Sequence, residues 1–391
     1  MNDTFYVGRR PELHFGPGSI RKIPELLAHM GLKRAFLVTG SGSIRNLPQW
    51  KELVSALEAD GDYAGDARVP GEPSPDEVDE IADLARMRVA EVIIGIGGGS
   101  AIDAAKAASA AVMHEGSIRN YLEGVGTEKP TGKRLPLIAC PTTAGTGTEA
   151  TKNAVLRELG PDGFKKSLRH DAFVPDVAVI DPELALGVPP RVTGASGLDA
   201  ITQNLEAYVS TKAAPYTDAL AVSGLEAAGR SFLQAVSDGS NLQARAEMAW
   251  AAHTSGIALA NAGLGLVHGV AGPAGATREV PHGVVCGLLL PHVTKATIEK
   301  LKKNGGGAEV LARYARAGVA LSGQDRGGID ANCDLLLGTL ERFAETAEIP
   351  ALGTYGFTPE DVTDVAAKSG LKNQPGSFEA SEIEEMIAAA L

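Results

Sequence analysis

The 391 residues carry 44% hydrophobic and 21% charged side chains, the balance of an ordinary globular chain long enough for two domains. A formal net charge of −12 excludes the basic footprint that a nucleic-acid or anionic-membrane partner requires, though not a small anionic substrate. No apolar run approaches the roughly 20 residues of a membrane span, and the N-terminal stretch lacks the apolar core of a signal peptide. Cys140, Cys286 and Cys333 have no paired spacing and read as buried thiols in a reducing compartment, so a cytoplasmic protein is expected.

In chain order, residues 34–39 (RAFLVT) read as a buried strand, followed by a Gly/Ser turn and a helix beginning near Pro48. Residues 75–88 predict a helix, with Ser74 as cap, Pro75 at its first position and acids in its first turn. Residues 89–96 (VAEVIIGI) are a second strand that runs into GGGS and an Ala-rich helix. Residues 135–139 and 177–180 are a third and a fourth strand. This alternation predicts a parallel sheet with crossover helices. After about Pro190 strand signals vanish and residues 195–209 and 244–262 carry helical spacing. The chain therefore divides near residue 186 into an α/β dinucleotide-binding domain (1–185) and a helical metal-binding and substrate domain (186–391). Residues 304–307 read as a plain inter-helix loop.

Gly97, Gly98, Gly99 and Ser100 join strand to helix. Glycine lets the backbone approach a diphosphate, and the free N–H groups of a helix start face an anion. Ser100 followed by Asp103 resembles a capping box, so a tight, well-capped turn explains these four residues equally well. The spacing is neither a Walker A loop nor GxGxxG. The stretch from Cys140 to Glu149 adds four threonines and two glycines after the third strand, and two anion-friendly loops on one sheet favour a dinucleotide.

In the second half, Asp199 and Gln203 are four apart on one helical face. His268 lies in a glycine-rich stretch, and His282 follows it fourteen residues later. A carboxylate, two imidazoles and an amide oxygen suit a borderline divalent ion such as Fe(II) or Zn(II). Each piece alone reads as a surface pair or a packed histidine; together they favour a metal.

The ordered motifs GGGSAIDAAK (97–106), PTTAGTGTE (141–149), VAVIDPEL (177–184), GLDAITQNLEAYVS (197–210), NAGLGLVHG (261–269) and PHGVVCGLLLPHV (281–293) resemble the iron-containing (group III) alcohol dehydrogenase family over nearly the whole chain. The resemblance implies a Rossmann-like N-terminal domain with an all-α C-terminal domain, the dehydroquinate-synthase-like fold. It also implies NAD(P) in the cleft between them, and a homodimer that transfers hydride to or from a small alcohol or aldehyde polarised by the metal.

By carry-over, Asp199, His268 and His282 are catalytic metal ligands, with Gln203 as the fourth. Gly97, Gly98, Gly99, Ser100 and Asp103 are the diphosphate-loop residues, while Thr142, Thr143, Thr146 and Lys165 line the cofactor, with Asn153 nearby. Three positions depart from the family pattern. Gln203 stands where histidine is common, and a neutral amide is the poorer donor. Gly272 stands where a second histidine, four residues after His268, often sits. Finally, Gly40, Ser41, Ser43 and Arg45 stand where NAD-specific members carry an aspartate, which leads to an expectation of NADP(H) over NAD(H).

Two rivals remain. A metal-independent reductase resembling the maleylacetate reductases would use Lys152, Lys165, Arg169 and Arg278 on an anionic carbonyl substrate. A dehydroquinate-synthase-like lyase fits the motifs less well.

Overall fold

The computed structural model describes residues 4–42, 44–159, 163–305 and 307–391, which form two compact units. One unit spans Gly8–Thr143 and Thr148–Leu186; the other takes Ala144–Gly147 and Gly187–Leu391, together with residues 4–7.

The first unit holds strands β1 (Glu12–Phe15), β2 (Ala35–Thr39), β3 (Tyr63–Arg68), β4 (Val92–Gly97), β5 (Leu137–Pro141), β6 (Asn153–Glu158), β7 (Phe164–Arg169) and β8 (Val177–Ile180). Its helices are α1 (Ile23–Met30), α2 (Pro48–Ala59), α3 (Pro75–Met87) and α4 (Gly99–Ala111). Six strands make one all-parallel sheet in the order β1-β8-β5-β4-β2-β3, and β6 pairs with β7 as a separate antiparallel hairpin.

The period of two explains the layers. Phe36, Val38 and Ile93 join one core with α3 and α4, while Ala35, Leu37 and Ile94 join another with α1 and α2. Burial on both faces is why β2 and β4 read as unbroken apolar runs.

The expected strands and helices of this half are present. Ser74 accepts from the Glu77 N–H in a full capping box at the start of α3. β4 starts at Val92 rather than Val89, because Val89 is in the left-handed region at φ 51. The short strand β3 and the hairpin β6–β7 were not anticipated: YAGDAR and FKKSLR are too polar to announce themselves.

The second unit is helical: α5 (Pro190–Val209), α6 (Pro215–Ser237), α7 (Leu242–Ala262), α8 (Leu266–Thr277), α9 (His282–Asn304), α10 (Ala308–Ser322), α11 (Ile329–Thr346), α12 (Pro359–Lys368) and α13 (Ala380–Ala388). Among the described residues no strand follows β8, and no single helix is long and apolar enough to cross a membrane. One core gathers α5, α6, α7, α10 and α11 around Phe232 and Phe343; another gathers α8, α9, α12 and α13. The Asn204 amide ties α5 to α7, donating to the carbonyls of Ala200 and Ala251 at 2.9 Å. Gly147, at φ +59, lies so close to Gly256 of α7 that a Cβ would meet its Cα at 2.6 Å. That close approach joins Ala144–Gly147 to this unit.

Candidate functional site

In the sheet unit the chain reverses direction of winding between β2 and β4, the position at which open α/β sheets bind ligands beyond the carboxyl ends of their strands. Three loops meet there. A Cβ at Gly97 would lie 2.6 Å from Ala101 Cβ and 3.2 Å from the Gly40 nitrogen, so only glycine lets the turns after β2 and β4 run side by side. The Thr142 N–H donates to the Gly97 carbonyl at 2.9 Å, which adds the loop after β5. Gly98 caps α4 with its backbone in an extended conformation and lies beside the Thr143 hydroxyl. Gly98, Gly99 and Ser100 are partly accessible at the helix N-terminus, where N–H groups and dipole favour a diphosphate.

Several expected residues do something else. α4 begins at Gly99 with no side-chain cap, so Ser100 and Asp103 are not a capping box. Asp103 is partly buried: one carboxylate oxygen accepts from the Thr148 hydroxyl and the other from the Val155 N–H at 3.0 Å. Burial pushes its carboxyl up, against the pull of Lys106, Thr148 and Val155. Asp103 thereby holds the base of the threonine-rich loop.

Lys106, one turn on and wholly buried, pins the same loop. Its Nζ donates to the carbonyls of Thr148 and Asn153, both at 2.8 Å, and to the Thr151 hydroxyl at 3.2 Å. Burial brings its pKa down to about 8. Asn153 is therefore used through its backbone. Lys106 was missed because lysine on an Ala-rich helix reads as a solvated cation.

Gly40 and Ser41 lie in the turn after β2, while Ser43 falls outside the described residues. Arg45 is committed within the protein. It pairs with Asp66, donates through Nε to the Thr39 hydroxyl at 3.1 Å and stacks 4.9 Å from the Trp50 ring centre. The four cations proposed for an anionic substrate are likewise paired: Lys152 with Asp171, Lys165 with Glu72, Arg169 with Glu123 and Arg278 with Asp361.

The helical unit brings Asp199, His268 and His282 together. Asp199 projects from the middle of α5, with Gln203 and Glu206 four and seven residues further along the same face. Glu206 then determines how α8 begins. One of its carboxylate oxygens accepts from the Val267 N–H at 2.7 Å, and Gln374 accepts from the Leu266 N–H at 3.0 Å. The first donors of α8 are thus satisfied by a carboxylate, favourable against the helix dipole, and His268 enters beside α5. The other Glu206 oxygen lies 2.7 Å from His268 Nδ1, leaving Nε2 to face Asp199 Oδ1 at 3.2 Å. His282 opens α9 after Pro281 and sets its Nε2 3.8 Å from the same Asp199 oxygen.

One turn along α9, the buried thiol of Cys286 lies 3.7 Å from His268 Nε2 and 3.8 Å from His282 Nε2. Cys286 was read as an inert buried thiol; the spacing His282-x-x-x-Cys286 on one helical face was the available signal. Ligand atoms of Asp199, His268, His282 and Cys286 all lie within 4.8 Å of one another. Gln203 is buried on the same face of α5, and its Oε1 accepts from the Ser255 hydroxyl at 2.6 Å.

Burial works to lower the His268 pKa, yet Cys286, Glu206 and Asp199 hold it well above the usual histidine value. Burial works to raise Asp199, but His282 and His268 hold it below the ordinary carboxylate range. This donor set suits a divalent ion. Bonds of about 2.0–2.3 Å arranged tetrahedrally put ligand atoms about 3.3–3.6 Å apart, close to the 3.2–3.8 Å separations found. Gly272 has open space where a Cβ would stand.

A parallel sheet covered by helices on both faces, with glycine turns at its switch point, is followed in the chain by a helical unit carrying a carboxylate–imidazole cluster, a combination that suits a nucleotide-binding enzyme with a metal centre. Comparison with known proteins agrees. The family described as iron-containing alcohol dehydrogenase matches residues 11–182, and its C-terminal family matches 193–391. Long-chain-alcohol dehydrogenase 1 of Geobacillus thermodenitrificans is 32% identical, over 93% of this chain and 89% of its own. NAD-dependent methanol dehydrogenase of Bacillus methanolicus is 32% identical, over 80% and 84%. The solved sulfoacetaldehyde reductase of Bifidobacterium kashiwanohense, in complex with NAD+, superposes with a TM-score of 0.86 at 27% identity, over 99% of this chain and 98% of its own. The chain belongs to the iron-containing alcohol dehydrogenase family and is an oxidoreductase acting on CH–OH groups.

Proposed function

We propose that the protein is a metal-dependent, NAD(H)-linked alcohol dehydrogenase, or aldehyde reductase, for a small uncharged alcohol or aldehyde. The observation that carries this reading is the convergence of Asp199, His268 and His282 on one point at metal-ligand spacing. A divalent ion such as Fe(II) or Zn(II) held by these residues supplies Lewis acidity to the substrate oxygen, and the nicotinamide carries the hydride. Glu206 keeps the Nδ1 proton of His268 occupied, so that Nε2 is the coordinating nitrogen. Gly97, Gly98, Gly99 and Ser100 receive the diphosphate, with Gly40, Ser41, Thr142 and Thr143 lining the cofactor. With Gly272 in place of an imidazole, the alcohol proton exchanges with solvent or a ribose hydroxyl.

The choice of NAD(H) replaces the expectation of NADP(H), which depended on a cation available to a 2′-phosphate. Arg45 spends its charge on Asp66, and the methanol dehydrogenase and the sulfoacetaldehyde reductase above are both associated with NAD. The paired state of Lys152, Lys165, Arg169 and Arg278 supports an uncharged substrate. The reading extends to a cytoplasmic homodimer. Three buried free cysteines support the reducing compartment, and the family resemblance supports the dimer.

The test is NADH and NADPH oxidation over an aldehyde panel, before and after metal removal. Loss of turnover on chelation, recovery with a divalent metal and a higher kcat/KM with NADH are expected. Full turnover in metal-free protein would instead identify the metal-independent reductase, and a preference for NADPH would overturn the cofactor assignment.

A further inference from the structure

Cys286 has no part in the site as the family motifs describe it, yet it stands inside it. Its Sγ is fully buried, 3.7 and 3.8 Å from the two imidazole nitrogens that face Asp199. A zinc–sulfur bond of about 2.3 Å and a zinc–nitrogen bond of about 2.0–2.1 Å, at a tetrahedral angle, place S and N about 3.6 Å apart. Both sulfur distances are close to that edge length, so the thiol lies within ligand reach of an ion held by either imidazole. The helix supplies the reason: His282 and Cys286 are one turn apart at the start of α9 and project from one face.

The residue at the customary fourth position is a weaker candidate on two grounds. Gln203 offers a neutral amide oxygen, and that oxygen already accepts from Ser255 on α7.

We propose that Cys286 is a direct metal ligand, completing a four-donor set with Asp199, His268 and His282 in place of Gln203. The inference rests on the metal-dependent reading above. On binding, the thiol proton passes to solvent and sulfur gives an electron pair to the ion. Of the four donors only His282 is partly accessible, at 28% of its side chain; the approach to the centre is therefore beside that ring. A soft thiolate shifts preference from Fe(II) towards Zn(II) and Co(II).

The experiment is cobalt substitution of the full-length protein after stripping with chelator. Thiolate-bound Co(II) shows an intense near-ultraviolet ligand-to-metal charge-transfer band that oxygen and nitrogen donors do not give. The expected result is that band at one equivalent of cobalt, its loss in Cys286→Ser and Cys286→Ala, and its persistence in Gln203→Leu. Metal affinity in Cys286→Ala should fall by more than about tenfold, since even groups that only orient a ligand are worth 10–100-fold. Cobalt bound to the wild type without the band overturns the thiolate assignment but leaves the metal-dependent reading standing. No stoichiometric cobalt at all overturns both. The wild-type spectrum decides the matter even if a variant folds poorly.

Discussion

Glu206 Oε2 lies 2.7 Å from Nδ1 of His268, and its other oxygen accepts the Val267 N–H at the same distance. One carboxylate thereby both starts α8 and selects which imidazole nitrogen faces Asp199. Glutamine at this position keeps the shape, removes the charge and weakens the pull on the Nδ1 proton. Glu206→Gln should lower metal affinity by about 10–100-fold, the usual cost of losing a group that orients a ligand. Competitive titration against a chromophoric chelator reads this directly. Unchanged affinity would mean that Glu206 serves only as a helix cap.

Gly97→Ala tests the convergence of the three strand-end loops. The added Cβ meets Ala101 Cβ at 2.6 Å and the Gly40 nitrogen at 3.2 Å, so α4 or the turn after β2 must move. A loss of about 1–3 kcal/mol in unfolding free energy is expected, together with a higher Kd for NADH by fluorescence titration. The metal content should not change, because the metal donors belong to the other unit.

Lys106→Met removes the donor shared by the Thr148 and Asn153 carbonyls and the cation that most offsets the burial of Asp103. Unsatisfied carbonyls and an unpaired carboxylate together cost on the order of 3 kcal/mol. Urea unfolding measures it, and NADH affinity should fall with it because the threonine loop loses its anchor. A variant as stable as wild type would show that Lys106 is dispensable to the loop.

The pairing of Arg45 with Asp66 gives a way to change cofactor preference. Asp66→Ser releases the guanidinium from its carboxylate while Thr39 and Trp50 still position it. The NADPH-to-NADH ratio of kcat/KM should rise on the order of tenfold, the equivalent of about one charge-assisted hydrogen bond. An unchanged ratio would separate Arg45 from the adenosine ribose.

Asp176 predicts an acid limit. Burial works to raise its carboxyl, but Arg134, with donors at 2.6 and 2.9 Å, the Leu137 N–H and Arg9 hold it below the ordinary aspartate value. A carboxyl depressed in the folded state stabilises fully above its unfolded pKa, about 3.9. That stability is lost as pH falls through the lower, folded value. The stability difference between wild type and Asp176→Asn should therefore be constant near neutrality and shrink below about pH 4. A difference that grows with acidity would contradict the assignment.

Much of this was legible in sequence because the informative signals are local. Unbroken apolar runs announced β2 and β4, Ser74 and Pro75 announced α3, and Asp199, His268 and His282 carried the family pattern. Signals failed where a residue's partner is remote in the chain. Asp103 reads as a helix-start acid until Thr148 and Val155 close over it, and Arg45 reads as a free cation until β3 brings Asp66 beside it.

By itself the sequence determined the parallel sheet, the helical second half, the glycine turn before α4 and the candidate cluster of Asp199, His268 and His282, since each depends on spacing within one element or on an ordered motif. Tertiary structure alone decided the rest. Cys286 becomes a donor because α5, α8 and α9 bring Asp199, His268 and His282 to within 4.8 Å of its sulfur. Glu206 becomes the residue that orients His268 because α8 begins on its carboxylate. Helical spacing places a side chain on a face; which other faces it meets depends on helix packing, and that is where a buried thiol joins the metal site.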